Sequence, residues 1–397
     1  MTTVQMGSRT WVALNSNRVV KEIISKNCVS TGDRPDFPVA GSLVSNNKRT
    51  VLRKTIDWKE GRKLMHHLLS GTALKNYSGI QEAESTTLLH NYLHQPDQWH
   101  RHNYSYSYSI AHRIVLGERT RQTQKQLDDI RRITVEFIRS INSSIFDFFP
   151  SLGIFQPFRS FWSCMGADHY KVFRAWWDPV MQDMADGIAP TSFTRDVILQ
   201  SKGKYATNHD EAMYLATSIV AAGSDNVRMA HNVFMMAAVC NPEVMAKART
   251  EIDSVCGRDA NRLPDLADME SLPYISAILK ECLRWRPVVP LIPQHHSTKE
   301  IHFDGYVFPA GTDFVINSLA VCGEVDDPAD FKPERWESRE MNITDGLWQF
   351  GGGRRVCVGY KIAHQELFLA FAKSIYCFDF IPVRSALPST QQNWLAN

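Results

Sequence analysis

The sequence has almost no excess of either charge, because 44 Lys and Arg stand against 42 Asp and Glu in 397 residues, a net charge of +2. A nucleic-acid-binding protein would need a basic excess, so we expect no nucleic-acid partner. No stretch approaches the ~18 consecutive apolar residues of a membrane-spanning helix. The first ten residues also lack the basic and then apolar pattern of a secretory signal.

The eight cysteines form no CxxC pair and no zinc-site spacing. A chain of this length needs no disulfide framework to be stable. We therefore expect reduced thiols, as in an intracellular protein.

What is present is mainly helical patterning, in a chain whose apolar content of 44% is typical of a globular protein. Apolar spacing predicts helices over 15–27, 58–69, 82–116 with an interruption near Pro96, 122–148, 167–188, 208–240, 243–256, 271–286 and 358–376. Irregular segments are expected over 28–57, 149–166 and 323–349, and short strands over 288–322. With no internal repeat and no flexible linker, the sequence predicts a single domain over residues 1–397, mainly α with a small β region.

Two helix starts carry recognisable signals. Asn208 is the expected N-cap of one helix, with Glu211 as its capping-box partner. Ser271 is the expected N-cap of another, with Pro273 in its first turn.

The segment Phe350–Gly359, FGGGRRVCVG, carries the strongest chemical signal. Three consecutive glycines permit a tight bend, and Cys357 follows that bend just before a predicted helix. We expect the helix dipole, Arg354 and Arg355 to stabilise a thiolate there. The residues alone leave open a phosphate loop, a nucleophilic cysteine, a haem-iron ligand or a buried cysteine in a turn.

Two other segments are ambiguous by themselves. Glu281 and Arg284 are spaced i, i+3, so they form either an ordinary surface ion pair or, with Arg335 of the segment FKPERW, a buried network. Gly223 interrupts an apolar helix beside Asp225 and Asn226, which predicts either a polar groove or a helix kink.

Taken together and in chain order, AAGSDN, KECLR, FKPERW and FGGGRRVCVG resemble the cytochrome P450 haem-thiolate family. The family patterns FxxGxRxCxG, ExxR and (A/G)GxDT fall on these segments, and WKEGR at 58–62 matches its WxxxR. The amino-acid sequences of these segments are similar to those of filamentous-fungal enzymes of secondary metabolism.

The resemblance implies the cytochrome P450 fold, one large helical domain around a buried haem b with Cys357 as the axial thiolate. It implies a structural network of Glu281, Arg284 and Arg335. The implied haem-binding residues are Trp58, Arg62, His295, Phe350, Gly353, Arg355 and Gly359. The implied catalytic residues are Ala222, Gly223, Asp225 and Asn226. His295 is ambiguous because His296 adjoins it.

The chain departs from the family pattern in two ways. Asn226 stands where the family usually has threonine, and an amide is a poor proton carrier, so water or Asp225 would relay protons. The N-terminal membrane anchor and first elements are expected to be missing, and the C-terminus to be short.

The expected function is a monooxygenase that oxidises an apolar terpenoid, alkaloid or polyketide with O2 and electrons from NADPH through NADPH-cytochrome P450 reductase. Asn226 leaves open a haem-dependent isomerase, dehydratase or coupling enzyme, and the short chain leaves open an inactive haem-binding product. The resemblance implies a monomer on the cytosolic face of the endoplasmic reticulum; the lack of a spanning segment leaves a cytoplasmic or peripheral location open.

A basic stripe is expected on the face behind the cysteine loop. It is either a reductase docking site or a set of scattered solvated charges. Its members are Arg53, Lys54, Lys59, Arg62, Lys63, Arg354, Arg355 and Lys361.

Overall fold

The computed structural model describes residues 1–69, 71–117, 124–142, 144–149, 151, 156–258, 261–337, 343–344 and 346–382. In this part of the chain the α-helices are α1 (Asn17–Val20), α2 (Thr55–Met65), α3 (Gly71–His94), α4 (Trp99–Leu116), α5 (Gln124–Ser140), α6 (Ile145–Phe148), α7 (Gln156–Ala185), α8 (Lys204–Thr207), α9 (His209–Cys240), α10 (Pro242–Cys256), α11 (Pro273–Trp285), α12 (Ser318–Cys322) and α13 (Tyr360–Cys377). The strands are β1 (Thr2–Met6), β2 (Arg9–Leu14), β3 (His295–His296), β4 (Ile301–Phe303), β5 (Tyr306–Phe308) and β6 (Asp313–Ile316). Short π-helical turns are Lys21–Ser25, Pro38–Leu43 and Thr194–Ile198, and the longer 3-10 turns include Leu266–Ser271 and Pro333–Trp336.

The core is built around α9, which is apolar along most of its length and is contacted by α4, α5, α7, α11 and α13. Phe234 of α9 stacks on Phe371 of α13 with ring centroids 4.0 Å apart, and both rings are fully buried. Burying such a side chain contributes roughly 1.5–3 kcal/mol. The contact holds the helix of the AAGSDN segment against the helix that follows Cys357.

A small mixed sheet lies beside the helical core, with strand order β1-β2-β6-β3. Strand β2 pairs with β6 in parallel, whereas the β1–β2 and β3–β6 pairs are antiparallel, and β4 and β5 form a separate hairpin. The prediction of a mainly α protein with a small β region is confirmed.

One element was missed and two local predictions were wrong. The hairpin β1–β2 was not predicted, although its two-residue loop Gly7-Ser8, with Gly7 at φ +60°, is a hairpin signal. Much of segment 149–166 is helical, because Pro157 falls in the first turn of α7, where proline is tolerated. Residues 318–322 form helix α12, not strand, with Asn317 as a side-chain N-cap.

The helix-start predictions had mixed outcomes. Asn208 does cap α9 by accepting from the Glu211 N–H, but the Glu211 carboxylate pairs with Arg53 at 2.7 Å. Ser271 lies in a 3-10 turn and does not cap α11. The Glu251 carboxylate of α10 instead accepts from the Tyr274 N–H at 3.0 Å, so a distant acid satisfies the first turn of α11.

No helix in the described ranges is long and apolar enough to cross a membrane. All eight cysteines are free thiols.

Candidate functional site

The cysteine loop folds back on itself just before α13. The Cys357 N–H donates to the Phe350 carbonyl at 2.7 Å, which closes the bend, and Gly359 is the residue before the first turn of α13. The Gly359 N–H donates to the Cys357 Sγ at 3.2 Å. The sulfur therefore lies at the N-terminal end of a long helix, as predicted.

Gly353 is the glycine that this bend requires. It adopts φ +57°, and a Cβ there would lie 2.9 Å from the Cys28 Cβ and 3.0 Å from the Ile24 carbonyl oxygen. Both the backbone conformation and the close approach of 24–28 exclude a side chain.

The electrostatics of Cys357 differ from the prediction. Burial raises the pKa of the Cys357 thiol above its ordinary value, while the Gly359 N–H and Arg62 lower it. Arg354, expected to stabilise a thiolate, is exposed. Without a bound cation, burial therefore favours the neutral thiol. Coordination to a metal ion would deprotonate the thiol outright and compensate the buried negative charge.

Arg62 and Arg355 both lie close to the Trp58 ring. The Arg355 guanidinium lies 4.0 Å and the Arg62 guanidinium 5.4 Å from the ring centroid, and all three residues are buried. Arg355 donates through Nε to the Gly32 carbonyl at 2.8 Å, but its buried Nη1 has no partner among the described residues. Burial lowers the pKa of Arg355 to about 10 and also lowers the pKa of Arg62.

His295 is the inward member of the histidine pair. Its Nδ1 is 3.0 Å from the Thr31 carbonyl oxygen, so Nδ1 carries the proton, and its buried Nε2 has no partner in the described structure. Burial and nearby Arg34 lower the pKa of His295 to about 3. His296 points elsewhere, with Nδ1 2.7 Å from Asp313 Oδ1.

Arg34 was not predicted. It is buried and donates to the Val51 and Pro293 carbonyls, and burial together with Arg355 lowers its pKa to about 9. Arg34 comes from an irregular segment with no periodic pattern, so little in the sequence distinguishes it. It adds a third cation to the group formed by Arg62 and Arg355.

The Glu281–Arg284 pair is buried, not an ordinary surface ion pair. Their side chains are 0% and 2% exposed and 2.7 Å apart. Glu281 also accepts from the Trp336 Nε1 and the Lys332 N–H at 2.9 Å each, and Arg335 Nε lies 3.5 Å away. The predicted network therefore exists, and it fastens α11 to the segment 332–336.

Helix α9 is continuous through the AAGSDN segment, so no cap ends the helix there. A Cβ on Gly223 would come within 3.1 Å of the Ala111 Cβ, so this glycine permits close packing of α4. Ala222 and Asn226 are exposed, one turn apart on the same face, whereas Asp225 is 5% exposed. These residues lie on α9 and not on the cysteine loop.

The basic stripe is only partly on the surface. Arg53, Arg62 and Arg355 are buried, and Arg53 pairs with Glu211. The exposed cations are Lys54, Lys59, Lys63, Arg354 and Lys361.

Comparison with known proteins decides the family. A sequence model of the family "Cytochrome P450" matches residues 1–396. The chain belongs to the cytochrome P450 family. It is 29% identical to cytochrome P450 monooxygenase patH of Penicillium expansum over 409 residues, which cover 97% of this chain and 78% of that protein. It is 28% identical to cytochrome P450 monooxygenase 88 of Postia placenta over 387 residues, covering 95% and 77%.

The fold agrees with this assignment. A solved zebra fish cytochrome P450 structure with progesterone superimposes with a TM-score of 0.78 at 20% identity, covering 94% of this chain and 88% of that one. This P450 is thus an oxygen-incorporating oxidoreductase that carries haem on a cysteine thiolate.

The described residues fit a haem. A haem presents an iron atom to a sulfur ligand and two carboxylates to cationic or hydrogen-bonding groups. Here a cysteine sulfur lies beside Arg62, while the buried Arg355 Nη1 and His295 Nε2 lack partners. Buried polar atoms are usually hydrogen-bonded, so a bound polar group would supply the partners that these two atoms lack among the described residues.

Proposed function

We propose that this P450 oxidises an apolar secondary metabolite, of the terpenoid, alkaloid or polyketide class, with O2 and electrons from NADPH. NADPH-cytochrome P450 reductase delivers the electrons at the cytosolic face of the endoplasmic reticulum. The observation that carries the proposal is the Cys357 sulfur, placed at the start of α13 near Arg62, together with the buried Arg355 Nη1 and His295 Nε2, which lack partners among the described residues.

In this proposal the cysteine loop holds the haem. The Cys357 sulfur would bind the haem iron, and the hydrogen bond from the Gly359 N–H would moderate the charge on that sulfur. Phe350 closes the bend through its carbonyl, and Gly353 permits the close packing of 24–28. When bound, the haem supplies the activation of O2 for insertion into a C–H bond.

The buried cations hold the haem carboxylates. Arg62 and Arg355 donate charge-assisted hydrogen bonds, and their contacts with the Trp58 ring help to hold their side chains. His295 contributes its Nε2 if that nitrogen takes up a proton when a carboxylate approaches, since Nδ1–H is already committed to Thr31. The carboxylates in turn compensate cations that burial now disfavours.

The exposed face of α9 borders the substrate. Ala222 leaves space there because its side chain is a single methyl group, and Asn226 one turn later is the polar side chain on that face. Gly223 sets the distance between α9 and α4.

The exposed cations form the reductase docking surface. Lys59 and Lys63 lie one turn apart on α2, and Ile56 beside them is 83% exposed, so the surface combines positive charge with an apolar anchor. An acidic partner would be steered to it, with an association rate that falls as salt is added.

Oxygen-18 labelling tests the proposal. The purified chain, a P450 reductase and NADPH are incubated under 18O2 with a panel of fungal terpenoids, alkaloids and polyketides. We expect one product class to carry one labelled oxygen atom, and only when reductase is present. A product formed without label would reject oxygen insertion and support the isomerase, dehydratase or coupling alternative.

A further inference from the structure

The polar residues of the AAGSDN segment point in different directions. Positions 222 and 226 are one turn apart and exposed, whereas Asp225 lies about 100° around the helix from Asn226 and is 5% exposed. The two polar side chains therefore do not share the face that, under the proposed function, borders oxygen and substrate.

Asp225 is engaged by a residue of its own helix. Arg228, one turn further on, donates to Asp225 Oδ1 through Nη2 at 2.7 Å and Nε at 3.2 Å. The two side chains are 8% and 15% exposed, so solvent screens this pair only weakly. Breaking a pair of this kind by removing one partner is strongly destabilising.

The surroundings on α4 and α5 keep the pair in place. The Arg228 guanidinium lies 5.9 Å from the centroid of the Tyr104 ring on α4. The pKa of Tyr104 is raised above its ordinary value, mainly by burial and next by Asp225, with a smaller contribution from Asp128. Arg228 and Arg131 oppose this shift. The Tyr104 hydroxyl and the Arg228 guanidinium thus both lie near the Asp225 carboxylate on the α4 side of α9.

Asn226 offers no proton in its place. Its Nδ2 donates to the Ala222 carbonyl at 3.2 Å, which fixes the orientation of the amide. An amide donates and accepts hydrogen bonds but does not ionise near neutral pH. The Asn226 side chain therefore cannot itself release a proton to this face.

We propose that Arg228 is a positioning residue that holds the Asp225 carboxylate on the α4 side of the helix, so that protons reach the oxygen site through solvent beside Asn226 and not through Asp225. This rests on the proposed monooxygenase function. That reaction converts a C–H bond, O2, NADPH and one H+ into C–OH, H2O and NADP+. The proton from solvent ends in the water product.

Hydrogen peroxide reports on this route. Two electrons and two protons convert O2 into H2O2 when the O–O bond is not broken, so slow or misdirected proton delivery raises the peroxide released per NADPH oxidised. This fraction can be measured with reductase alone, before a substrate is known. The experiment follows it from pH 5 to 8.5 in the wild type and in Arg228→Gln, Asp225→Asn, Asn226→Thr and the Asp225→Asn/Arg228→Gln double variant.

We expect Asn226→Thr to lower the peroxide fraction at least threefold, because a hydroxyl both donates and accepts. Arg228→Gln should release the carboxylate and lower the fraction at least threefold near pH 5, with less effect near pH 8. In the double variant, the added Asp225→Asn change should abolish this decrease in the peroxide fraction near pH 5. The proposal is overturned if Arg228→Gln leaves the pH dependence of the peroxide fraction unchanged. It is also overturned if Asp225→Asn changes that pH dependence as much in the wild-type background as in the Arg228→Gln background.

A second measurement does not depend on haem. Urea unfolding of the two single variants and the double variant forms a double-mutant cycle, and we expect the double variant to lose clearly less stability than the sum of the singles. Additive losses would show that the pair does not form in solution and would overturn the proposal. If Arg228→Gln does not fold, Arg228→Lys takes its place. Failure of the proposed function is seen separately, as a missing thiolate-haem band with carbon monoxide.

Discussion

Replacement of Glu281 by glutamine tests the buried network at its centre. One oxygen of this carboxylate accepts from Arg284 Nε and Trp336 Nε1 at 2.9 Å each, and the other from Arg284 Nη2 at 2.7 Å and the Lys332 N–H at 2.9 Å. Whichever way the new amide turns, its NH2 group meets two donors and loses two hydrogen bonds. The negative charge is lost as well, while Arg284 stays 2% exposed.

The expected loss is about 3–5 kcal/mol of unfolding free energy, the usual effect of breaking a buried ion pair. This is a large part of the ~5–15 kcal/mol that stabilises a typical protein. Urea unfolding followed by tryptophan fluorescence measures it, since Trp336 is a direct partner.

The matched control is Glu22→Gln. Glu22 also pairs with a cation on one helical stretch, Lys26 at 2.6 Å, but the two side chains are 33% and 61% exposed. We expect a loss of about 0.3–0.5 kcal/mol there. If the loss of unfolding free energy in Glu281→Gln is within about 1 kcal/mol of the loss in this control, the network does not stabilise the fold as its geometry indicates.

Three further predictions follow from the site and the core. Gly353→Ala should destabilise the protein by more than Gly305→Ala and lower its haem content, because both glycines have positive φ but only Gly353 would place its Cβ 2.9 Å from another residue; equal unfolding midpoints would contradict this. Arg355→Met should lower the haem bound per folded chain several-fold, whereas Arg354→Met, at an exposed neighbour, should not; pyridine haemochrome assays decide, and equal haem content in both would refute the carboxylate role. Burial lowers the pKa of His231 to about 3, below its ordinary 6.5, so the unfolded state binds the proton first and stability falls as pH drops from 6.5 toward 3. His231→Leu should therefore flatten the acid-side slope of unfolding free energy by up to about 1.4 kcal/mol per pH unit, measured by urea unfolding at several pH values; an unchanged slope would show that His231 is protonated in the fold.

The parts of the site that could be predicted are those whose residues are close in sequence. The Cys357 loop and the Glu281–Arg284 pair are set by spacings of a few residues, so a bend and a shared helix face follow from the sequence directly. Their burial could not be deduced, because an i, i+3 ion pair has the same spacing on a surface helix. The family resemblance, and not the spacing, favoured the buried form.

The parts that were missed depend on distant partners. Arg34 enters the site from an irregular segment, and its role depends on the carbonyls of Val51 and Pro293. Glu251 replaces Ser271 as the cap of α11 because α10 packs against it, a contact that no local pattern shows. Arg53, Arg62 and Arg355 of the basic stripe are buried for the same reason. The sequence shows that these residues are charged but not whether their side chains point to solvent or to the interior.

The most direct test of the account is the carbon monoxide spectrum of the reduced protein, recorded for the wild type, Cys357→Ser and Cys28→Ser. Cys28 is the matched control because its Cβ packs against Gly353 of the same loop. We expect the red-shifted band of thiolate-ligated haem in the wild type and in Cys28→Ser, and its loss in Cys357→Ser. A band that survives in Cys357→Ser would show that another side chain binds the iron.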